Sequence, residues 1–237
     1  MTLTLLAFGH LGAAPAAASE DDDERPSPSR VIFGSLDAGP AKRLLSQGAK
    51  QVLGPGSLGA SGFRTLANSA ASTETAAGAP PGRILRKLEL QALVGFEWRL
   101  RQGSLALYSG PDLQAEAASG AGPIRYRIGQ RIHADLWYSP LPRLTMQLSA
   151  YAATLDRRLW LRLAPGFALP WQGRFGRPEL GPELELYRQD GYSKLRIGLQ
   201  LRGLRLLRLN WQMAAGWERS SAGAAQAYAT IGMHWRK

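Results

Sequence analysis

Cysteine is absent from the 237 residues, which excludes disulfide scaffolds, thiolate zinc sites and cysteine nucleophiles. Histidine is scarce, with three in all, and no two are spaced to share a metal ion. Long hydrophobic runs are missing as well: mean hydropathy is −0.20 with 45% hydrophobic residues, too polar for a bundle of membrane helices. No P-loop, dinucleotide fingerprint or G-x-S-x-G elbow occurs. Acidic residues are outnumbered, 18 against 29 Lys+Arg, a formal net charge of +11. A balance of that sign ordinarily points to nucleic acid, but the distribution of the charges argues otherwise. What the chain does have is 27 Gly and 15 Pro, the punctuation of many turns in one sizeable domain.

Residues 2–14, TLTLLAFGHLGAA, are apolar, and Ala16-Ala17-Ala18 before Ser19 offers a small-residue cleavage pattern. The run is too short to span a bilayer as a helix and has the shape of a secretory signal, residues 1–18, that lacks a basic n-region. Glu20-Asp21-Asp22-Asp23-Glu24 and RPSPS then form an acidic lead-in, residues 19–30, expected to be disordered. Without those five acids, residues 25–237 hold 29 basic against 13 acidic residues, a net charge of +16.

From residue 84 onward polarity alternates with period two. Leu88, Leu90, Ala92, Val94, Phe96, Trp98 and Leu100 oppose Lys87, Glu89, Gln91, Glu97 and Arg99. Leu195, Ile197, Leu199 and Leu201 oppose Lys194, Arg196, Gln200 and Arg202, and Ala225 to Trp235 repeats the theme. A helix would spread these apolar residues around its circumference, whereas a strand places them on one face. The runs last about twice the ~5–6 residues of an ordinary strand. They match the ~9–11 residues that a tilted strand needs to cross a bilayer.

A soluble lipocalin-like barrel or sandwich would place the same two faces the other way round, and alternation alone does not separate the cases. Three features favour the membrane. Trp98, Tyr138, Trp217 and Trp235 lie near the ends of the apolar face, as an interfacial girdle requires. The last strand runs to the C-terminus and ends on an outward aromatic residue. Small alanines make much of that strand's outer face, which lipid tolerates better than a packed core does.

Breaks at Gln102-Gly103, 117–123, Ser139–Pro142, Asp156, Trp171–Pro178, Asp190-Gly191, Gly203 and Ser220–Gly223 divide residues 84–236 into nine strands. VIFGSLDAG, KRLLSQGAKQVL and ASGFRTLAN, within 31–69, add three. The expected fold is therefore all-β: an antiparallel up-and-down transmembrane barrel of about twelve strands over residues 31–237, an even number that leaves no open edge. With both termini in the periplasm, the long connection at 70–83 falls outside. The turns at 102–103, 139–142 and 203–205 fall inside, as does the longer 171–178.

Under this arrangement the +16 falls largely on the inner face. Lys87, Arg99, Arg101, Arg125, Arg127, Arg131, Arg162, Lys194, Arg196, Arg202 and Arg208 stand there against Glu89, Glu97, Asp135, Glu183, Glu185 and Glu218. One reading is a lattice of salt bridges that fills a narrow barrel, since charges inside a low-dielectric wall must be paired. The other is a hydrated conduit or glycan-contact surface. There Arg125, Arg127, Arg131, Arg162, Lys194, Arg196 and Arg202 donate to oxygens, Glu183 and Glu185 accept, and Trp137, Tyr151, Trp160 and Tyr187 stack on sugar rings. His133, Asp135 and Ser149 could be imagined as a hydrolytic triad, but two neighbours on one strand rarely reach that geometry. No catalytic residue, metal or cofactor is expected, and basic residues spread over many strands do not make a nucleic-acid patch.

Residues 191–237 carry a family resemblance. Gly191, Tyr192, Arg196 and Gly198 form a G-Y-x-x-x-R-x-G core; GLRL (203–206), AGWERSS (215–221) and AYATIGMHWR (227–236) follow. VIFGSLDAGPAKRLLSQGAKQVL and SGFR (61–64) match more loosely. The chain resembles the cellulose biosynthesis protein BcsS family. That resemblance implies an outer-membrane barrel accessory to bacterial cellulose biosynthesis, assisting export or assembly of the polysaccharide, with no catalytic residue to carry over. It also implies outer-membrane lipids as partners, together with cellulose or cello-oligosaccharide and other components of cellulose synthesis, and no nucleic acid. The alternatives are a general or anion-selective porin and an outer-membrane enzyme acting on lipid or glycan.

Overall fold

In the computed structural model, residues 28–39, 42–75, 84–118, 123–170, 173, 176–221 and 223–236 are described. The expected signal, most of the lead-in and half of the 171–178 connection lie outside them. Alternating sequence becomes twelve strands: β1 (Arg30–Ala38), β2 (Lys42–Val52), β3 (Gly62–Thr75), β4 (Ile84–Leu100), β5 (Gly103–Ala118), β6 (Arg125–Leu141), β7 (Leu144–Ala153), β8 (Arg158–Ala168), β9 (Gly176–Gln189), β10 (Tyr192–Leu206), β11 (Leu209–Ser220) and β12 (Gly223–Arg236). Each pairs antiparallel with its sequence neighbour, and β1 closes on β12 with Ile32 opposite Trp235 and Leu36 opposite Ile231. Closure leaves no unpaired edge, the condition for a sheet to sit in lipid. One end, called here the terminal end, holds Arg30 and Arg236; the turns at 154–157 and 190–191 belong to the far end.

The barrel has the faces of a membrane protein. Outward residues are mostly apolar and bare, among them Leu45 (61% exposed), Ile128 (71%) and Ile197 (57%). Inward residues are polar or charged and buried, including Arg64, Glu89, Arg131 and Gln200. Trp98, Tyr138 and Trp235 face outward at the terminal end, where an aromatic girdle meets a membrane interface, while Trp217 lies toward the far end.

Two expectations are corrected. Gly203 is a bulge inside β10, with φ +78 and a register shift between Arg202 and Leu204. The chain turns later, at Leu207-Arg208, where both residues adopt left-handed φ of +54 and +65. That is the backbone of a type I′ hairpin turn built without its usual Asn or Gly, so composition did not reveal it. The third strand runs on to Thr75 rather than ending near 69, because its small and polar residues pair with β4 as far as Ile84.

The β2–β3 connection folds back into the terminal mouth. Leu58 is buried with Val31, Phe33, Val52, Leu66 and Tyr108. Its N–H donates to the Pro28 carbonyl at 2.8 Å. Arg64 donates to the carbonyls of Ser57 (3.0 Å) and Ala60, and Arg99 to that of Leu58. Two guanidinium groups thereby satisfy the carbonyls that an inward loop would otherwise leave unpaired.

Candidate functional site

The candidate site is the lumen. Period-two alternation carries one residue in two from each strand into it. In a closed twelve-strand wall these side chains meet not only their neighbours but groups on strands across the interior.

Near the far end, Arg158 of β8 donates to Glu89 of β4 at 2.9 Å and to Asp112 of β5 at 2.8 Å. Asp112 also accepts from Arg131 at 2.9 Å, and the Arg131 guanidinium lies 3.9 Å from the centroid of the Tyr151 ring. Tyr151 stacks on Trp160, with centroids 5.5 Å apart, and both pack with Tyr187. A second group joins β10 to β1. Arg196 donates to Asp37 at 2.6 Å and to Glu218 at 2.6 Å. Thr230 donates to Asp37 at 3.0 Å, and Lys194 lies 3.1 Å from Glu185. The third lies toward the terminal end. There Arg162 holds Glu183 and donates to Gln147 (3.2 Å) and Gln200 (3.1 Å). Arg202 donates to Glu179 (2.8 Å) and to the carbonyls of Ala164 (3.1 Å) and Thr145 (3.2 Å), with its guanidinium 4.5 Å from the Trp137 ring centroid. A cavity of about 30 Å³ lies between Asp37, Glu185, Arg196 and Thr230, room on the scale of a single water.

Twelve of the thirteen expected glycan-contact residues are drawn inward: Arg127, Arg131, Trp137, Tyr151, Trp160, Arg162, Glu183, Glu185, Tyr187, Lys194, Arg196 and Arg202. Arg125 is exposed at the start of β6, beyond the packed interior. Arg101 and Arg208 are likewise exposed, in turns at the terminal end, so they leave the expected inner set. Four residues that the alternation did not single out complete the networks. Arg64 and Asp37 lie in the weakly patterned first strands, Asp112 follows Gly110-Pro111, and Arg158 follows the turn at Asp156-Arg157.

The lumen is therefore close to balanced in charge, contrary to the expectation that the excess positive charge lies inside. Every carboxylate on a described strand faces inward, whereas Arg30, Arg43, Arg86, Arg188 and Arg219 face outward. The surplus sits on the outer wall and at the rims. The imagined triad also has the wrong order. Ser149 donates to Asp135 at 2.6 Å and His133 Nε2 lies 2.9 Å from the other oxygen of the same carboxylate, so the acid, not the imidazole, is the central member.

The model of the cellulose biosynthesis protein BcsS family matches residues 31–237. No curated protein sequence matches the chain. Among solved structures, the barrel is similar to the KdgM porin: TM-score 0.50, 10% identity, covering 86% of this chain and 98% of that one. It is also similar to the translocator domain of autotransporter NalP from Neisseria meningitidis, with TM-score 0.52, 12% identity, and 91% and 90% covered. At these identities the likeness is one of fold.

Proposed function

The chain belongs to the cellulose biosynthesis protein BcsS family, and from that membership we propose that it is a non-catalytic outer-membrane barrel that assists export or assembly of the polysaccharide without conducting it. The observation that carries this reading is the occupied lumen. Arg158, Arg196 and Arg202 each reach carboxylates or carbonyls on strands beyond their neighbours. A glucan chain threading the barrel would have to break these contacts and strand buried charges. Such a barrel acts through its rims and outer wall, as an anchor in the membrane for other components of cellulose synthesis, with the terminal end in the periplasm. The order Ser149–Asp135–His133 supports the non-catalytic reading, since a serine hydrolase needs histidine between the other two.

Deletion of the gene is expected to reduce cellulose at the cell surface while membrane-bound glucan synthesis continues, and complementation by the intact chain to restore it. The purified barrel in a planar bilayer is expected to show no steady ion current, with or without cello-oligosaccharide. A stable current would favour a porin, and a current blocked by the sugar a glycan conduit.

A further inference from the structure

We propose that the outer wall between β6 and β11 holds a binding site for a phosphorylated, multiply acylated glycolipid of the outer leaflet, with acyl chains in an apolar groove and phosphates on Arg188 and Arg219. The proposal rests on the outer-membrane placement and orientation given above. It concerns outward side chains, which the lumen leaves unused.

The groove has a volume of about 1060 Å³. Its origin is a difference in side-chain size at outward positions. Ala134 pairs with Ala150 across β6 and β7, and Ala152 lies between Ile132 and Leu159, so methyl groups form a floor. Leu161, Leu186 and Leu195 rise around it. At roughly 4.8 Å per strand, the span from β6 to β10 is about 20 Å, wide enough for several acyl chains side by side.

Lipid coats every such barrel, so selectivity must come from charge. Arg188 stands opposite Ser193, and Arg219 opposite Leu195, two residues further along β10. Both line the groove at its far end, and both are exposed. Their α-carbons are separated by two strand spacings and two residues of rise, roughly 12 Å, which suits a headgroup carrying two phosphates. Among the described residues no strand carboxylate faces outward to neutralise them. An outward arginine on a barrel costs about 2–4 kcal/mol at the bilayer midplane and little at the interface, so these belong at headgroup level. Guanidinium forks grip phosphate oxygens in pairs. The terminal end differs: Trp98, Tyr138 and Trp235 occupy the outward interface there.

The test uses the full-length barrel, stripped of lipid in detergent, with bisphosphorylated lipid A, its dephosphorylated form, and phosphatidylglycerol as probes and native mass spectrometry as readout. Lipid A is expected to bind at least tenfold more tightly than either comparison lipid. Arg188→Gln with Arg219→Gln should lose at least tenfold of that affinity, while Arg43→Gln with Arg86→Gln, remote from the groove, should keep it. Ala150→Leu with Ala152→Leu, which fills the floor with groups that lipid tolerates, should also weaken binding while gel migration of the folded barrel stays unchanged. Equal binding of phosphatidylglycerol, full binding by the Arg188/Arg219 variant, or no retained lipid on the native barrel would overturn the site. None of these outcomes depends on whether cellulose deposition is affected.

Discussion

Arg158 on β8 and Glu89 on β4 meet across the lumen at 2.9 Å, with side chains 1% and 0% exposed. Strands β5, β6 and β7 separate them along the wall, so the contact ties opposite sides of the interior together. Removing Arg158 takes one buried cation away from both Glu89 and Asp112, and breaking a buried ion pair typically costs about 3–5 kcal/mol. Arg158→Met is therefore expected to lower the denaturant midpoint of the refolded barrel strongly, read from the shift between folded and heat-unfolded bands on a gel. Arg158→Met combined with Glu89→Leu should recover part of the loss. A double variant as unstable as the sum of the singles would show that the two groups act independently.

Gly198 carries a prediction about the family motif. A β-carbon there would lie 2.5 Å from the Tyr228 hydroxyl and 2.4 Å from the Ala215 carbonyl oxygen. The Tyr228 hydroxyl donates to Glu183 at 3.1 Å, and its ring lies 4.5 Å from the Arg196 guanidinium. Gly198→Ala should cost about 1–3 kcal/mol by overpacking, and adding Tyr228→Phe should relieve only part of it, because the carbonyl contact remains. Denaturant midpoints of the two variants measure this.

The turn at Leu207-Arg208 holds two side chains in a left-handed backbone, with Leu207 90% exposed. Left-handed φ costs about 1–2 kcal/mol for an ordinary residue. Leu207→Asn with Arg208→Gly supplies the residues that type I′ turns favour. The expected outcome is a barrel more stable by about 1 kcal/mol, since glycine returns part of the gain as chain entropy. An unchanged or lower midpoint would mean that Leu207 makes a compensating contact in the bilayer.

Orientation can be read directly because the chain has no cysteine. Asp190 lies in a far-end turn and Gln102 in a terminal-end turn, and both are exposed. Asp190→Cys should react with a membrane-impermeant maleimide on intact cells, and Gln102→Cys only after the outer membrane is permeabilised. The opposite pattern would invert the barrel and place the Arg188/Arg219 groove in the inner leaflet.

Much of this architecture was legible in period-two patterning. Runs such as 84–100 and 223–236 show which face each residue takes, because side chains on a strand alternate without exception unless a bulge intervenes. Hence the inward placement of Arg131, Trp160 and Glu183 followed from parity alone. Where a bulge did intervene, at Gly203, the reading shifted the turn by several residues and misplaced Arg208. Asp112 was missed because Gly110-Pro111 interrupts the pattern just before it. The first strands carried too few large apolar residues to show how far β3 extends.

The sequence by itself determined the barrel: alternation set the two faces, strand lengths matched a bilayer, and an even count allowed closure. Only the tertiary structure decided which inward side chains meet one another. Which charges meet depends on the tilt and stagger of the closed wall, and these bring Arg158 to Glu89 and Arg196 to Asp37 across strands far apart in sequence. Parity assigns a residue to a face but says nothing of its height or its partner. Summing the charges on a face therefore suggested an excess of arginine within, where pairing leaves near balance and places the surplus on the outer wall.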